Sequence, residues 1–141
     1  MKQTKLHIVL FTMALLIFVS CDRRDGDWDP MKWRTDAPMV NNVVPVSAEG
    51  GTYRFECTNY NSYWLSSAQA DGEYFYPDRE RNEYKTIIGE WFDVKVEGNV
   101  MEVTIAPNDD AANRELEVTP QAGNAFYTFW FEQDGVSLPL R

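Results

Sequence analysis

The sequence predicts an all-β chain, an antiparallel β-sandwich of about seven strands behind a signal peptide and a flexible tether. Two observations carry this. Apolar and polar residues alternate with period two through most of the chain from Met39 onward, and turn residues interrupt the alternation at short intervals. Val43–Val46 opens the series, followed by 52–58, where Tyr53, Phe55 and Cys57 alternate with Arg54, Glu56 and Thr58. A short strand is expected at 63–66. Residues 91–96 and 100–106 form the next pair, with Met101, Val103 and Ile105 opposing Glu102 and Thr104. Glu97-Gly98-Asn99 links them as a glycine-containing hairpin. In the following strand Leu116 and Val118 face inward while Glu115, Glu117 and Thr119 face outward. After an Ala122-Gly123-Asn124 turn, residues 125–133 close the series.

One stretch breaks the rhythm. Between Ala70 and Glu90, Pro77 is placed to open a helical turn, Tyr84, Ile87 and Ile88 to share a face, and Gly89 to cap the end. The alternative is a long hairpin carrying Tyr74, Phe75 and Tyr76 at its tip. An irregular excursion with at most a short helix is the preferred reading, and such insertions are where a scaffold usually carries its specificity.

The chain begins with targeting chemistry. Lys2 and Lys5 precede twelve residues, Ile8 to Val19, of which only Thr12 is polar. That run is too short for a membrane span, which needs roughly 20 apolar residues. It has the form of a secretory signal. Phe18-Val19-Ser20-Cys21 resembles the lipobox of bacterial lipoproteins, with phenylalanine in place of the usual leucine. The resemblance implies that Cys21 is acylated and becomes the first residue of the mature chain. The expected division is a lipoprotein signal peptide at 1–20, a tether at 21–38, a sandwich at 39–135 and a C-terminal tail at 136–141. The tether reading rests on DRRDGDWDPMKWRTDAP, which mixes charge with Gly26, Pro30 and Pro38 and reads as having no apolar period. Trp28 and Trp33 are unusual for a linker and are candidates for docking back on the domain. The acids after Cys21 resemble the export signal of Bacteroidetes surface lipoproteins, interrupted by Arg23 and Arg24, which places the chain at the outer membrane or cell surface.

Composition excludes several chemistries. The one histidine, His7, lies in the signal, so the mature chain has no imidazole for a Ser-His-Asp, Cys-His or HExxH site. Eleven basic residues then face twenty-two acidic ones, a net charge of −11, which disfavours nucleic acid as a partner. With Cys21 lipidated, Cys57 is a lone thiol expected in the core. Asp25, Asp27, Asp29 and Asp36 repeat part of an EF-hand spacing, but Pro30 stands where the loop needs glycine. Asn108-Asp109-Asp110 supplies too few oxygens for calcium and reads as a turn, so no metal and no cofactor is expected. Carboxylate pairs such as Glu90 with Asp93 are expected by chance among twenty-two acids, and a small sandwich offers little cleft; no catalytic residues are assigned.

The order of Glu49-Gly50-Gly51-Thr52-Tyr53, Trp64, Trp91-Phe92, Asn108, Arg114 and Phe131-Glu132-Gln133-Asp134-Gly135 resembles the BACON domain of the Bacteroidetes. The resemblance covers about Val43 to Gly135. It implies an immunoglobulin-like sandwich, no catalysis and a carbohydrate ligand; the long 70–90 excursion departs from the family pattern.

Aromatic residues number eighteen among the 121 of the mature chain. In the last strand Tyr127, Phe129 and Phe131 fall on one face and Phe126, Thr128 and Trp130 on the other, so one set must leave the core. Trp64 and Trp91 are expected inside. Trp130 either packs beneath the tether or excursion or stands as a platform for a sugar ring. Tyr74, Phe75, Tyr76 and Trp130 are the candidate contacts for carbohydrate or, in the alternative, for a protein complex in which this chain is a spacer or accessory subunit.

Overall fold

The computed structural model describes residues 28–82 and 84–137. The predicted signal, Cys21 and the C-terminal residues 138–141 lie outside them. Eleven strands run through the described residues: β1 (Trp33–Thr35), β2 (Val43–Val46), β3 (Gly51–Cys57), β4 (Trp64–Ala70), β5 (Glu73–Phe75), β6 (Thr86–Ile88), β7 (Phe92–Glu97), β8 (Val100–Ile105), β9 (Arg114–Ala122), β10 (Ala125–Phe126) and β11 (Phe129–Gln133). One helical turn, α1 (Arg79–Asn82), separates β5 from β6. Seven strands have four residues or more, as expected; β1, β5, β6 and β10 have two or three, too few to show a clear period.

The strands form two sheets, ordered β1-β3-β8-β7-β6 and β2-β11-β9-β4-β5, with β10 paired to β9 at the side of the second. The fold is an all-β sandwich. Its expected antiparallel pairing is corrected at one edge, where β2 runs parallel to β11 with Val43 opposite Trp130. Parallel neighbours need a long crossover, and almost the whole domain lies between these two strands.

Alternation places the core. Phe55 of β3 meets Phe129 and Phe131 of β11 across the sandwich, with ring centroids 4.3 and 5.8 Å apart. Leu116, Val118, Met101, Val103 and Cys57 are buried at the positions that period two assigned inward, and Val94, Phe129 and Phe131 are buried with them. Tyr63, also fully buried, donates its hydroxyl to the Asn99 carbonyl at 3.3 Å, and burial pushes its pKa far up.

The tether reading is corrected for residues 31–35. Met31 is buried, β1 pairs with β3, and the Trp33 ring packs against Tyr63, Phe129 and Tyr127 at 5.3, 5.0 and 5.9 Å. The cause is a short alternation inside a charged segment: Met31, Trp33 and Thr35 turn inward while Lys32 and Arg34 stay exposed. Trp28 docks as well, beside Tyr60 with centroids 6.0 Å apart and over Gly123, where an added Cβ would come within 2.1 Å of the indole.

The excursion contains pieces of both expected forms. β4 turns back at Asp71-Gly72, both with positive φ of 48° and 88°, and β5 pairs with it as a tight hairpin. Asp78 then caps α1 by accepting the Glu80 N–H at 2.9 Å, and β6 joins the opposite sheet beside β7. Tyr74 and Phe75 therefore lie on an edge strand and not at a hairpin tip.

Asn108 closes one end of the sandwich. Its side-chain nitrogen donates to the carbonyls of Ala112 at 2.8 Å and Asp134 at 3.1 Å, its side-chain oxygen accepts the Asp110 N–H at 3.1 Å, and its own N–H donates to Ala48 at 2.7 Å. Gln133 is buried beside it, its amide nitrogen 2.9 Å from the Ala106 carbonyl. Arg114 lies 5.2 Å from the Trp91 ring and 3.7 Å from Asp110. The Asn108 carboxamide thus ties its own loop to the segment after β11, its backbone N–H adds the loop before β3, and the side chain serves the turn.

Two outcomes are expected. Phe129→Ala should lower unfolding stability by about 3–5 kcal/mol with an unchanged denaturant slope, measured by urea titration. Asn108→Ala should cost about 2–3 kcal/mol by leaving buried backbone groups unpaired, and added calcium should shift the thermal midpoint of neither protein.

Candidate functional site

The inward demand of β11 decides what its other face presents. With Phe129 and Phe131 buried between the sheets, Trp130 must point away from the core. Its backbone is held there by β2 and by the Asn41-Asn42 turn: Trp130 N–H donates to the Asn42 carbonyl at 3.0 Å, and the Tyr127 hydroxyl donates to the Asn42 side chain at 2.6 Å.

Register extends this row across the sheet. Val43 stands opposite Trp130, Trp130 opposite Glu117, Glu117 opposite Gln69 and Gln69 opposite Tyr74. Directly opposed side chains share a face, so the outer surface carries Trp130, Glu117, Gln69 and Tyr74 in line. A second line holds Phe126, Gln121 and Trp64. Between them lie Ser67, Thr119 and Thr128, the two threonine hydroxyls 3.1 Å apart. The rings are open to solvent: Trp130 is 37% exposed, Trp64 37%, Phe126 55%, Tyr74 59% and Tyr76 70%. Tyr74 and Tyr76 stack with planes 12° apart and centroids at 6.3 Å, making one extended apolar patch.

Three of the four ring positions expected from sequence therefore lie on the outer surface. Phe75 does not join them. It turns inward and meets Phe92 edge-on at 5.2 Å, because its opposite on β4 is the buried Ala68. Trp64, expected inside, is corrected to the outer face: Leu65 takes the inward position and its N–H is bonded to the Tyr84 carbonyl at 2.9 Å. Trp64 lines a shallow hollow with Ser62, Tyr84 and Lys85, and the Lys85 ammonium donates to Ser62 Oγ and the Tyr63 carbonyl. Phe126 is the other ring not assigned to the site from sequence. The Asp71-Gly72 dipeptide was the legible signal for the hairpin that sets Tyr74 beside Gln69.

The other sheet's outer face is chemically different. Arg34 pairs with Glu56 at 2.6 Å, Arg54 with Glu102 at 3.3 Å and Lys95 with Glu97, and the Thr52 and Thr104 hydroxyls meet at 3.2 Å. The hydrogen bond from Arg34 holds the Glu56 carboxyl below its ordinary range. These charges answer one another, whereas the ring-bearing face is left with apolar surfaces and with Glu117, for which no described residue is a partner.

No family model and no curated protein matches the sequence. Among solved structures, the NMR structure of a protein from Bacteroides thetaiotaomicron is similar, with 38% identity, a TM-score of 0.69, and alignment over 84% of this chain and 98% of that one. The chain belongs to that protein's family. The relationship covers nearly all of the relative, so the sandwich described above is the common fold of both chains.

Tryptophan emission offers a direct check of the two faces. Iodide quenching should fall clearly on Trp64→Phe or Trp130→Phe, since each removes an open indole. Trp33→Phe, which removes a shielded indole, should raise the quenchable fraction.

Proposed function

We propose that this protein is a non-catalytic, surface-anchored lipoprotein that binds carbohydrate through the outer face of its six-stranded sheet. The observation carrying this reading is the set of five exposed rings bordering a floor of hydroxyls, amides and a carboxylate. Flat apolar rings suit the C–H faces of sugars, and the polar floor suits their hydroxyls. Monomeric surfaces rarely leave a large apolar patch without a use. The BACON resemblance of the sequence points the same way.

The anchor belongs to the same proposal. Cys21 carries the lipid, and the six residues from 22 to 27 reach at most about 22 Å before Trp28 docks beside Gly123. The end of the sandwich bearing the Gly123 turn then faces the membrane, and the Asn108 end faces away.

The reading is tested with the full-length protein, solubilised in a detergent lacking sugar headgroups and applied to a glycan array. Binding is expected, and Tyr74→Ala, Tyr76→Ala and Trp130→Ala combined should abolish it with little change in thermal midpoint. A silent array combined with specific capture of a protein partner on intact cells would favour an accessory subunit instead. For the anchor, Cys21→Ala should move the protein out of the membrane fraction; continued sedimentation with membranes would overturn lipid attachment.

A further inference from the structure

Resting on the carbohydrate reading, we infer that the ring-bearing face takes an extended, linear glycan without carboxylate or sulfate groups, lying across the strands from Trp130 to the Tyr74–Tyr76 stack. The geometry excludes a single-sugar pocket as the organising principle. Trp130 and Tyr74 are three strand steps apart in one register line. At about 4.8 Å per step their backbones lie roughly 14 Å apart. A pyranose is about the size of one tyrosine ring, so one sugar cannot touch both ends. An extended pyranose chain advances by nearly one strand spacing per unit, so a chain crossing β11, β9, β4 and β5 sets about one sugar over each strand.

The floor beneath that track is polar where the ends are apolar. Glu117 offers a carboxylate to hydroxyl donors, and Gln69, whose amide nitrogen donates to the Gly72 carbonyl at 3.3 Å, retains its side-chain oxygen as an acceptor. Gln121, on the second line, is held in the same way, its amide nitrogen donating to the Gly123 carbonyl at 2.8 Å. What distinguishes the Trp130–Tyr74 line is the Glu117 carboxylate beside its glutamine.

Charge selects among glycans. The outward positions of β2, β4, β5, β9, β10 and β11 hold Glu115, Glu117 and Glu132, Glu115 and Glu132 being directly opposed, and none holds lysine or arginine. Lys85 borders the Trp64 corner, away from this line. A polyuronate or sulfated chain would set like charge against Glu117 and Glu132, an effect largest at low salt.

The test is titration calorimetry of the full-length protein with β-1,4-linked glucose, mannose and xylose ladders from mono- to hexasaccharide, and with an oligogalacturonate ladder at low ionic strength. In the ladder that binds, affinity should rise with each unit to about the tetrasaccharide and then level, while oligogalacturonates should not bind. Trp130→Ala and Tyr74→Ala should each weaken the tetrasaccharide about tenfold, with thermal midpoints confirming folded variants, and Trp130→Phe should restore most of the loss. A monosaccharide bound as tightly as the tetrasaccharide, equal binding of oligogalacturonate, or indifference to both alanine variants would overturn the track. Failure of all three neutral ladders alongside a positive array would overturn this inference alone; a blank array as well would remove the carbohydrate reading beneath it.

Discussion

The contact between Phe55 and Phe129, with ring centroids 4.3 Å apart, is the constraint from which the outer surface follows. It joins the two sheets at the centre of the sandwich and admits Trp33 at its margin. Because a strand's side chains alternate strictly, burying Phe129 and Phe131 leaves Trp130 no inward position. A slip of one residue would exchange the two sets and put Phe129 and Phe131 in water. The exposed tryptophan is thus a consequence of the core's register.

The two outer faces are finished in different ways. On the sheet containing β3, β8 and β7, charged residues stand opposite partners of the other sign, so Arg54 meets Glu102. Exposed pairs of this kind contribute little stability but leave few unanswered groups for a ligand. On the other sheet, rings occupy the corners and small hydroxyl residues the centre, an arrangement that adds little to folding and leaves surface available. The Asn108 end is held by buried carboxamides, while Trp28 closes on Gly123 at the other end.

What was legible in the sequence followed the length of each repeating pattern. The long strands β8 and β9 declared their inward faces through six or more residues, and β11 showed two opposed ring sets in its run of aromatics. β1 was hidden because Lys32, Arg34 and Asp36 made its segment look like solvated linker, although Met31 and Trp33 alternate with those charges. The outward side of Trp64 is hidden for another reason: it precedes a bulge between Leu65 and Ser67, and a bulge breaks the parity from which a face is counted. Phe75 sits between two tyrosines in the sequence, yet adjacent residues of a strand look in opposite directions, so it leaves their face.

By itself the sequence determined the sandwich class, the order of its principal strands, the division of the last strand into two opposed ring sets and the role of Asn108 as a turn residue. Each depends on patterns within a few consecutive positions. Only the tertiary structure decided that β2 lies parallel to β11, that the 70–90 segment passes from one sheet to the other, and that Trp130, Glu117, Gln69 and Tyr74 stand in one row. Strand neighbours are chosen by long-range hydrogen bonding and by the fit of distant rings, and no local period records which strand will lie beside which.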